Sequence, residues 1–367
     1  MKFKCNREIF IRGLQKAQSI TTIKSTLPIL ANVLIEAEKD RIRLSATDLE
    51  VGMKCTVPTE VKKTGAITLP ARKLYEIIRE LPKDIVEIDV DSENRCTIKS
   101  GKSTFKIMGM PKEEFPVLPE FKNENVFKID RETLSEMIKK TIFSVSQDET
   151  RYVLCGVFLE ISNGEVKMIS TDGRRLSYIN KKAPNNRDRD IKVVIPSKAI
   201  NELLKILNSS EDKEVKIDIG ENQVVFVTDN TYLISRLIEG KYPNYEQVIP
   251  DKNEIQLKLK RDELLNATHR VAIMINEKSN SIRYNIKDNR MVISAVSQGF
   301  GEAVEDLDID YKGEDLRVAY NPVFVMDVLK NIECEEVYFE LTDSLKPGVI
   351  KPADGEEYIS VVMPMRI

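Results

Sequence analysis

Histidine is almost absent from this chain. His269 is the only one among 367 residues. A Ser-His-Asp or Cys-His nucleophile system would have to use it, because such systems need an imidazole to accept the proton of the nucleophile. His269 falls in the middle of a predicted helix, which indicates a residue on a helix face. The sequence therefore gives no support for nucleophilic catalysis.

Glycine-rich phosphate loops and metal-ligand clusters are missing too. No GxGxxG motif occurs, and Gly101-Lys102-Ser103 has Cys96 where a phosphate-binding loop would need its first glycine, so this segment is predicted to be a turn between strands. The five cysteines lie far apart and form no CxxC pair, which predicts buried free thiols rather than disulfides or a zinc site. We expect no catalytic site, no metal and no cofactor.

Long apolar runs are missing as well. No stretch of 18 or more apolar residues occurs, and the start of the chain lacks the apolar core of a signal peptide, which predicts a cytoplasmic protein with no membrane partner. Lys and Arg number 56 against 59 Asp and Glu, a net charge of −3. This balance argues against a protein that simply coats DNA. It still allows one basic and one acidic surface, because electrostatic attraction depends on where the charges lie.

The chain does contain a repeat of domain size. Pro70, Pro196 and Pro322 are spaced 126 residues apart. Each is followed by apolar residues at the spacing of one helix face, which predicts three equivalent helices. The three stripes are Leu74, Ile77, Ile78 and Leu81; Ile200, Leu203, Leu204 and Leu207; and Val325, Val328, Leu329 and Ile332.

Other landmarks recur with nearly the same period. The opening Phe3–Glu8 returns as Phe127–Glu132, with Asn6 and Asp130 in the position of a helix N-cap. Thr47-Asp48 and Thr171-Asp172 recur 124 residues apart at predicted strand ends. Isolated aspartates after threonine are more typical of turns and caps than of metal ligands.

The repeat predicts three domains, because 367 residues exceed the comfortable size of one core and fit three domains of roughly 120 residues. Polar and proline-rich junctions place them at residues 1–121, 122–251 and 252–367. Each reads as strand, helix, several strands, helix and several strands, an α+β fold. Hairpin turns are predicted at Asn163-Gly164 and Gly220–Asn222.

Many basic residues fall on or beside the predicted helices. Taken alone, they are ordinary solvated helix faces. If the helices of all units share one side, the same residues form a basic lining that suits the phosphates of DNA without reading its bases. They are Arg7, Arg12, Lys16, Arg72, Lys73, Arg79, Arg131, Lys139, Lys140, Lys198, Lys205, Arg261 and Arg270.

Several short stretches, taken in order, resemble the family of bacterial DNA polymerase III β subunits, the sliding clamps. The resemblance covers essentially the whole chain. The matching stretches are Thr26–Leu30, Thr47–Glu50, Pro70–Lys73, Thr171–Leu176, Pro243–Tyr245, Leu341–Ser344 and Val361–Arg366.

The resemblance implies three tandem clamp domains with helices lining a central hole and sheets outside. It implies a non-enzymatic processivity factor, in which two copies joined head to tail encircle duplex DNA and tether the replicative polymerase. The other partners that it implies are the clamp loader, repair and translesion polymerases, and mismatch-repair proteins.

The resemblance also implies two sets of site residues. The DNA contacts that it implies are Lys24, Arg72, Gln147 or Asp148, Tyr152 and Lys198. The implied groove for partner peptides comprises Leu154, Thr171, Gly173, Arg174, Arg175, Leu176, Pro243, Val248, Leu345, Val361, Val362, Met363, Pro364, Met365 and Arg366. By itself, Val361–Met365 also reads as an ordinary buried last strand.

Two other functions stay open from the residues alone. One is a hydrolase or transferase with an active site between repeats, which the missing histidines, glycine loops and clustered carboxylates disfavour. The other is a monomeric repeat scaffold that binds only proteins. The mass of the particle in solution and a central hole would separate a clamp from a scaffold.

Overall fold

The structure is a computed structural model that describes residues 1–22, 26–119, 126–183, 190–250, 252–275, 280–297 and 299–366. The chain forms two compact units. Unit 1 comprises Met1–Ser135 and Lys198–Leu237, and unit 2 comprises Glu136–Ser197 and Ile238–Ile367. Each unit therefore combines one sequence repeat with part of the middle repeat. The predicted domain division at 121/122 and 251/252 stays a prediction.

Single helices separated by runs of strands follow one another along the chain, which is an α+β fold. The helices are α1 (Arg7–Ile20), α2 (Ala71–Glu80), α3 (Arg131–Ile142), α4 (Ser197–Ser209), α5 (Arg261–Ala272) and α6 (Pro322–Lys330). The strands of the first repeat are β1 (Lys2–Asn6), β2 (Asn32–Ala37), β3 (Arg41–Thr47), β4 (Val51–Pro58), β5 (Glu60–Lys63), β6 (Gly65–Pro70), β7 (Ile85–Val90), β8 (Arg95–Ser100) and β9 (Ser103–Met108).

The later strands follow the same order. In the middle repeat they are β10 (Val126–Asp130), β11 (Gly156–Ser162), β12 (Glu165–Thr171), β13 (Arg175–Lys182), β14 (Asp190–Pro196), β15 (Glu214–Ile219), β16 (Gln223–Thr228) and β17 (Thr231–Arg236). In the last repeat they are β18 (Ile255–Lys260), β19 (Ile282–Lys287), β20 (Arg290–Ser297), β21 (Gly301–Asp308), β22 (Leu316–Tyr320), β23 (Glu336–Leu341), β24 (Gly348–Pro352) and β25 (Tyr358–Val362).

Each unit contains one eight-stranded antiparallel sheet. The order is β6-β2-β3-β4-β17-β16-β15-β10 in unit 1 and β14-β11-β12-β13-β25-β24-β23-β18 in unit 2. The two orders are the same arrangement of equivalent strands, and each sheet crosses a repeat boundary, at β4–β17 and at β13–β25. We call residues in equal positions of these sheets counterparts; Gly52, opposite Ile234, is the counterpart of Leu176, opposite Val361.

The two remaining sheets are halves of this arrangement. Unit 1 also holds β5-β1-β7-β8-β9, and unit 2 holds β21-β20-β19-β22. In this comparison β9 takes the position of β17, and β21 takes the position of β4. Both are edge strands within the described residues. In each complete sheet, two strands pair across the repeat boundary. The counterparts of those two strands in the half-sheets, β9 and β21, are edge strands.

The helical predictions are confirmed. The stripes of α2 and α6 are buried, and in α4 Leu204 is half-buried while Ile206 completes the buried face. Asn6 caps α1 by accepting from the amides of Glu8 and Ile9. Asp130 accepts from the Thr133 amide at the start of α3. The caps form because the first amides of a helix have no partner within it.

The predicted turns are confirmed as well. Asn163 and Gly164 join β11 to β12 with φ of 53° and 78°, values that a two-residue hairpin of this type requires. Gly101-Lys102 joins β8 to β9. His269 is exposed on α5. Cys5, Cys55 and Cys96 are buried free thiols, and the other two cysteines are half-buried.

Some elements were not expected from the sequence. β5 was missed because Glu60–Lys63 has a single apolar residue and hence no alternation. Two 3₁₀ segments, Pro28–Ala31 and Glu149–Cys155, also carry no periodic signal. No helix of the described residues is long and apolar enough to cross a membrane.

Candidate functional site

The first part of the candidate groove is the turn between β12 and β13 in unit 2. Asp172 Oδ1 accepts from the amides of Arg174 and Arg175, at 2.8 and 3.0 Å. The Thr171 hydroxyl accepts from the Gly173 amide at 3.0 Å and donates to the Arg175 carbonyl at 2.6 Å. Gly173 has φ +83°, which glycine adopts without steric cost. The turn is thus held by hydrogen bonds rather than by a ligand.

The same turn recurs in unit 1. Asp48 accepts from the amides of Glu50 and Val51, and the Thr47 hydroxyl accepts from the Leu49 amide and donates to the Val51 carbonyl. This confirms the prediction that Asp48 and Asp172 serve in turns. Leu49 has φ +79° at the position of Gly173. This backbone conformation is strained for a leucine.

The floor of the groove is built where β13 meets β25. Leu176 lies opposite Val361, and Arg175 lies opposite Val362. Leu176 and Val361 belong to one buried cluster that also includes Phe158, Tyr242 and Tyr245, with Leu154 packed against it. The rings of Phe158 and Tyr242 stack at 4.9 Å. Strand pairing thereby brings together residues that lie far apart in sequence.

Apolar side chains around this floor are left exposed. Leu345, in the turn before β24, is 76% exposed, and Val248 and Pro243 are exposed near the buried Tyr242 and Tyr245. Leu345 follows a turn of the same kind, because Asp343 Oδ1 accepts from its amide at 2.7 Å. An apolar floor with an exposed apolar rim suits an extended peptide with large apolar side chains.

The C-terminal tail continues from β25 along this region. The Met363 amide donates to the Arg174 carbonyl at 2.9 Å, and the Met365 amide donates to the Ala319 carbonyl at 2.8 Å. Met363 and Met365 keep 37% and 36% of their surface exposed, and Arg366 is exposed. Methionine is flexible and polarizable, so these two side chains can adapt to different apolar ligands. The alternative of a fully buried last strand holds for Val361 and Val362 but not for Met363 and Met365.

Arg175 has a different environment from its neighbour Arg174. Its side chain is only 10% exposed and bonds to Asp172, Asp327 and the Phe143 carbonyl. Arg174 is exposed, and no ion pair of its side chain occurs within the described residues. The two arginines of the predicted groove therefore differ in what they are free to bind.

Two predicted DNA contacts lie in unit 1 and already have ionic partners. Arg72, near the start of α2, is exposed and holds Glu76 at 3.2 Å. Lys198, at the start of α4, pairs with Asp48 in the turn described above. The Arg72–Glu76 pair is exposed and contributes little to stability, so Arg72 can exchange this carboxylate for a phosphate at small cost, whereas the Asp48 side chain is only 8% exposed. Lys24 lies outside the described residues.

The other predicted DNA contacts lie in unit 2, around the 3₁₀ segment Glu149–Cys155. Gln147 and Tyr152 are exposed. The Asp148 carboxylate caps the segment by accepting from the Thr150 hydroxyl and amide, at 2.6 and 3.0 Å. These hydrogen bonds hold the pKa of Asp148 below its ordinary value. A carboxylate in this state repels phosphate, which favours Gln147 in the open alternative between the two residues.

Sequence reasoning missed part of the unit 2 site. Tyr242 and Tyr245 form the wall behind Pro243, and burial raises the pKa of both phenols above the ordinary value. Asp327 and Phe324 on α6 surround Arg175. The aromatic residues flanking Pro243 were a usable signal. The α6 residues were not, because their partner lies about 150 positions earlier. No group of three or more His, Cys, Asp or Glu in the described ranges could hold a metal ion.

Comparison with known proteins identifies the family. The N-terminal, central and C-terminal domains of the DNA polymerase III beta subunit match residues 1–119, 128–244 and 246–366. The beta sliding clamp of Chlamydia muridarum is 35% identical over 100% of this chain and 99% of its own length. That of Pseudomonas aeruginosa is 34% identical over 100% of both chains.

Solved structures agree with this match. The DNA polymerase sliding clamp of Bacillus subtilis is similar with a TM-score of 0.95 and 30% identity, covering 100% of this chain and 99% of that one. The sliding clamp of Pseudomonas aeruginosa bound to griselimycin gives a TM-score of 0.95 and 34% identity over 100% of both chains. The three domains predicted from the repeat, and the clamp fold that the resemblance implied for them, are thereby confirmed, and this chain belongs to the family of DNA polymerase III beta subunits.

Proposed function

We propose that this protein is a sliding clamp, a processivity factor without a catalytic site of its own. Two copies close head to tail into a ring around duplex DNA, with the helices toward the hole and the sheets outside. A groove in unit 2 of each copy binds short peptides of the replicative polymerase and other proteins. The single observation that carries this proposal is the pair of half-sheets, whose open edges correspond to strands that are joined elsewhere in the same chain.

The ring follows from completing these half-sheets. β4 pairs with β17, and β13 pairs with β25, in equivalent registers. The counterparts of these strands, β21 and β9, have no such neighbour within the described residues. Pairing β9 of each copy with β21 of the other would join the four half-sheets into two further sheets, each with the eight equivalent strands and β5 as an additional edge strand. Two chains would then hold six equivalent sheets, and no edge would be left open at the joins.

The chemistry of the two edges supports this pairing. β9 carries Lys106 and follows Lys102, and neither lysine has an ion pair within the described residues. β21 carries four carboxylates in eight residues, of which Glu302 and Asp308 are unpaired in the same sense. A basic edge and an acidic edge attract each other, whereas two copies of either edge repel. This favours head-to-tail over head-to-head association.

Exposed apolar side chains at these two edges also support the pairing of β9 with β21. Phe105 on β9 is 41% exposed, although it faces the core side of its sheet beside Ile98. Its counterpart Leu233 in the complete sheet is 1% exposed. Val304 on β21 and Ile273 at the end of α5 are also exposed. Covering such side chains is the main favourable term in association.

DNA is held in this proposal by enclosure. Arg72, Lys198, Gln147, Tyr152 and Lys24 would touch the duplex, with the first two releasing their carboxylates. A net charge of −3 and the lack of base-reading elements predict weak, salt-sensitive direct contacts. Such contacts let the ring slide, while closure keeps it on the DNA. The proposal places the protein in the cytoplasm, where the replicating DNA of a bacterium lies.

Partner proteins would share the groove. We expect the polymerase catalytic subunit, the clamp loader, repair and translesion polymerases, and mismatch-repair proteins to insert apolar side chains between Leu176, Met363 and Leu345. Burial of each large side chain contributes about 1.5–3 kcal/mol, part of which is lost in ordering the peptide. A moderate affinity follows, so partners can exchange. Tethering keeps a polymerase near its template between binding events.

The test of the proposal is the particle itself. Sedimentation at micromolar concentration should give twice the chain mass of 41.9 kDa, and electron microscopy should reveal a central hole wide enough for duplex DNA. A monomer at all concentrations would support the protein-binding scaffold instead. A dimer without a hole would remove the encircling mechanism.

A further inference from the structure

Arg175 forms hydrogen bonds within the protein through every nitrogen of its side chain. Its Nε donates to Asp172 Oδ2 at 3.1 Å, its Nη1 donates to Asp327 Oδ2 at 2.7 Å, and its Nη2 donates to the Phe143 carbonyl at 2.5 Å. The guanidinium carbon lies 4.5 Å from the centre of the Phe324 ring. Every nitrogen of the side chain thus has an acceptor inside unit 2.

These partners belong to three separate segments. Asp172 lies in the turn between β12 and β13, Phe143 follows α3, and Asp327 and Phe324 lie on α6. The planar guanidinium presents its N–H groups in a fixed fork, so it can hold three directions at once, which a lysine ammonium at the same place cannot do with one nitrogen. Arg175 therefore fixes α6 against the turn that forms one rim of the groove.

α6 in turn positions the tail. The chain enters α6 directly from β22, whose Ala319 carbonyl accepts from the Met365 amide at 2.8 Å. The other end of the tail is bonded to the turn, through the Met363 amide and the Arg174 carbonyl. Met363 and Met365 thus span the two parts that Arg175 holds together. A change in the distance between the turn and α6 would move both methionines relative to Leu176.

Unit 1 offers an internal comparison. The counterpart of Arg175 is Val51, and the helix positions corresponding to Phe324 and Asp327 hold Lys198 and Asn201. There the ion pair of Lys198 with Asp48 joins the turn to α4. A turn and a following helix can thus be tied without an arginine. The three-way bracket is found in the unit that has the exposed apolar groove.

We propose that Arg175 is a positioning residue of the peptide groove, which sets the distance between its turn rim and its tail through Asp327 and Phe324 and does not bind the peptide itself. This inference rests on the proposed peptide-binding function and alters the role that the family resemblance gives to Arg175. Arg174, exposed on the same turn, is the arginine left free to meet a ligand.

The test measures binding by calorimetry to the full chain and to five variants, with Gln-Leu-Ser-Leu-Phe as a short probe peptide that carries large apolar side chains. Arg175→Gln and Asp327→Asn should each weaken binding about tenfold or more, and the double variant should weaken it no further than the stronger single change, because both break one bracket. Arg175→Lys should recover part of the loss. The matched control Arg290→Gln, which breaks the exposed pair of Arg290 with Asp306 elsewhere in unit 2, should change the affinity less than threefold.

Amide hydrogen exchange supplies a second readout. The Met365 amide should exchange faster in Arg175→Gln and Asp327→Asn but not in Arg290→Gln, and the dimer mass of the first two variants should be unchanged. If Arg175→Gln fails to fold, Arg175→Lys and Asp327→Asn decide the question. Multiplicative losses in the double variant, or an unchanged affinity in Asp327→Asn, would mean direct contact and overturn the proposal. Absence of binding by the unaltered chain would instead refute the proposed function.

Discussion

Replacing Phe105 with alanine should weaken the dimer while leaving each copy folded. Phe105 lies on β9 with 41% of its surface exposed, although it faces the core side of the sheet. Full burial of a phenylalanine contributes about 1.5–3 kcal/mol, so covering the exposed part contributes roughly 0.6–1.2 kcal/mol per contact. A closed ring of two copies contains this contact twice, giving about 1.2–2.4 kcal/mol per dimer.

This loss corresponds to a dimer dissociation constant raised roughly eight- to sixtyfold. Sedimentation velocity over a dilution series would measure it. Ile85→Ala is the matched control, because Ile85 is a similarly exposed apolar residue on β7, an inner strand of the same sheet. Phe105→Asp should have a larger effect, since it places a carboxylate against the acidic β21. Equal dissociation constants for Phe105→Ala and Ile85→Ala would refute β9 as the joining edge.

Three further predictions concern the groove, a turn and pH. Removing the last five residues, from Met363 on, should weaken the binding of the Gln-Leu-Ser-Leu-Phe peptide by roughly 5- to 30-fold in calorimetry. The reason is that covering the exposed third of each of the two methionines contributes about 1–2 kcal/mol to binding. Loss of the dimer instead would mean that the tail stabilises the ring. Leu49→Gly should raise the free energy of unfolding, measured in urea, by about 0.5–1 kcal/mol, because glycine relieves the backbone strain at φ +79°. Gly173→Ala should lower the free energy of unfolding, because it introduces the same strain. A loss of stability in Leu49→Gly would show that the backbone at Leu49 is not strained. Burial acts to raise the pKa of Glu136, but a hydrogen bond shared with the Glu356 carboxyl group and the hydrogen bonds that Glu136 accepts from Lys140 and Lys181 lower this pKa to about 2. Its folded-state pKa is thus depressed, so its stabilisation is present above the unfolded value near 4.5 and is lost as pH falls toward 2; Glu136→Gln should flatten the unfolding free energy across that window, and an unchanged slope would count against it.

Local structure could be read from the sequence where a physical signal is short-range. The apolar stripe Leu74–Leu81, the Asn6 cap and the Asn163-Gly164 turn each depend on neighbours within a few residues. The register between β13 and β25 does not, because Leu176 and Val361 are brought together only by the sheet. The half-sheet edges likewise became visible only through comparison with the complete sheets. Periodicity reveals that a strand exists but not which distant strand it joins.

In the candidate site too, some features could be predicted from the sequence and others could not. Its residues followed from the resemblance, and the turn chemistry of Asp172 followed from residue type. The bracket around Arg175 could not be predicted, because Asp327 lies on a helix of the next repeat and reads in sequence as an ordinary polar helix position. Likewise, nothing in the sequence separates the engaged Arg175 from the exposed Arg174.

The central claim, that DNA is retained by enclosure, is tested most directly by cutting the DNA. The dimer would be loaded by a clamp loader onto a nicked circular duplex and isolated at moderate salt, where direct phosphate contacts are weak. A restriction enzyme would then linearise the circle. The account predicts that the protein stays on the intact circle and leaves within minutes of the cut, as the ring slides off the free ends. Equal retention on circular and linear DNA would contradict it.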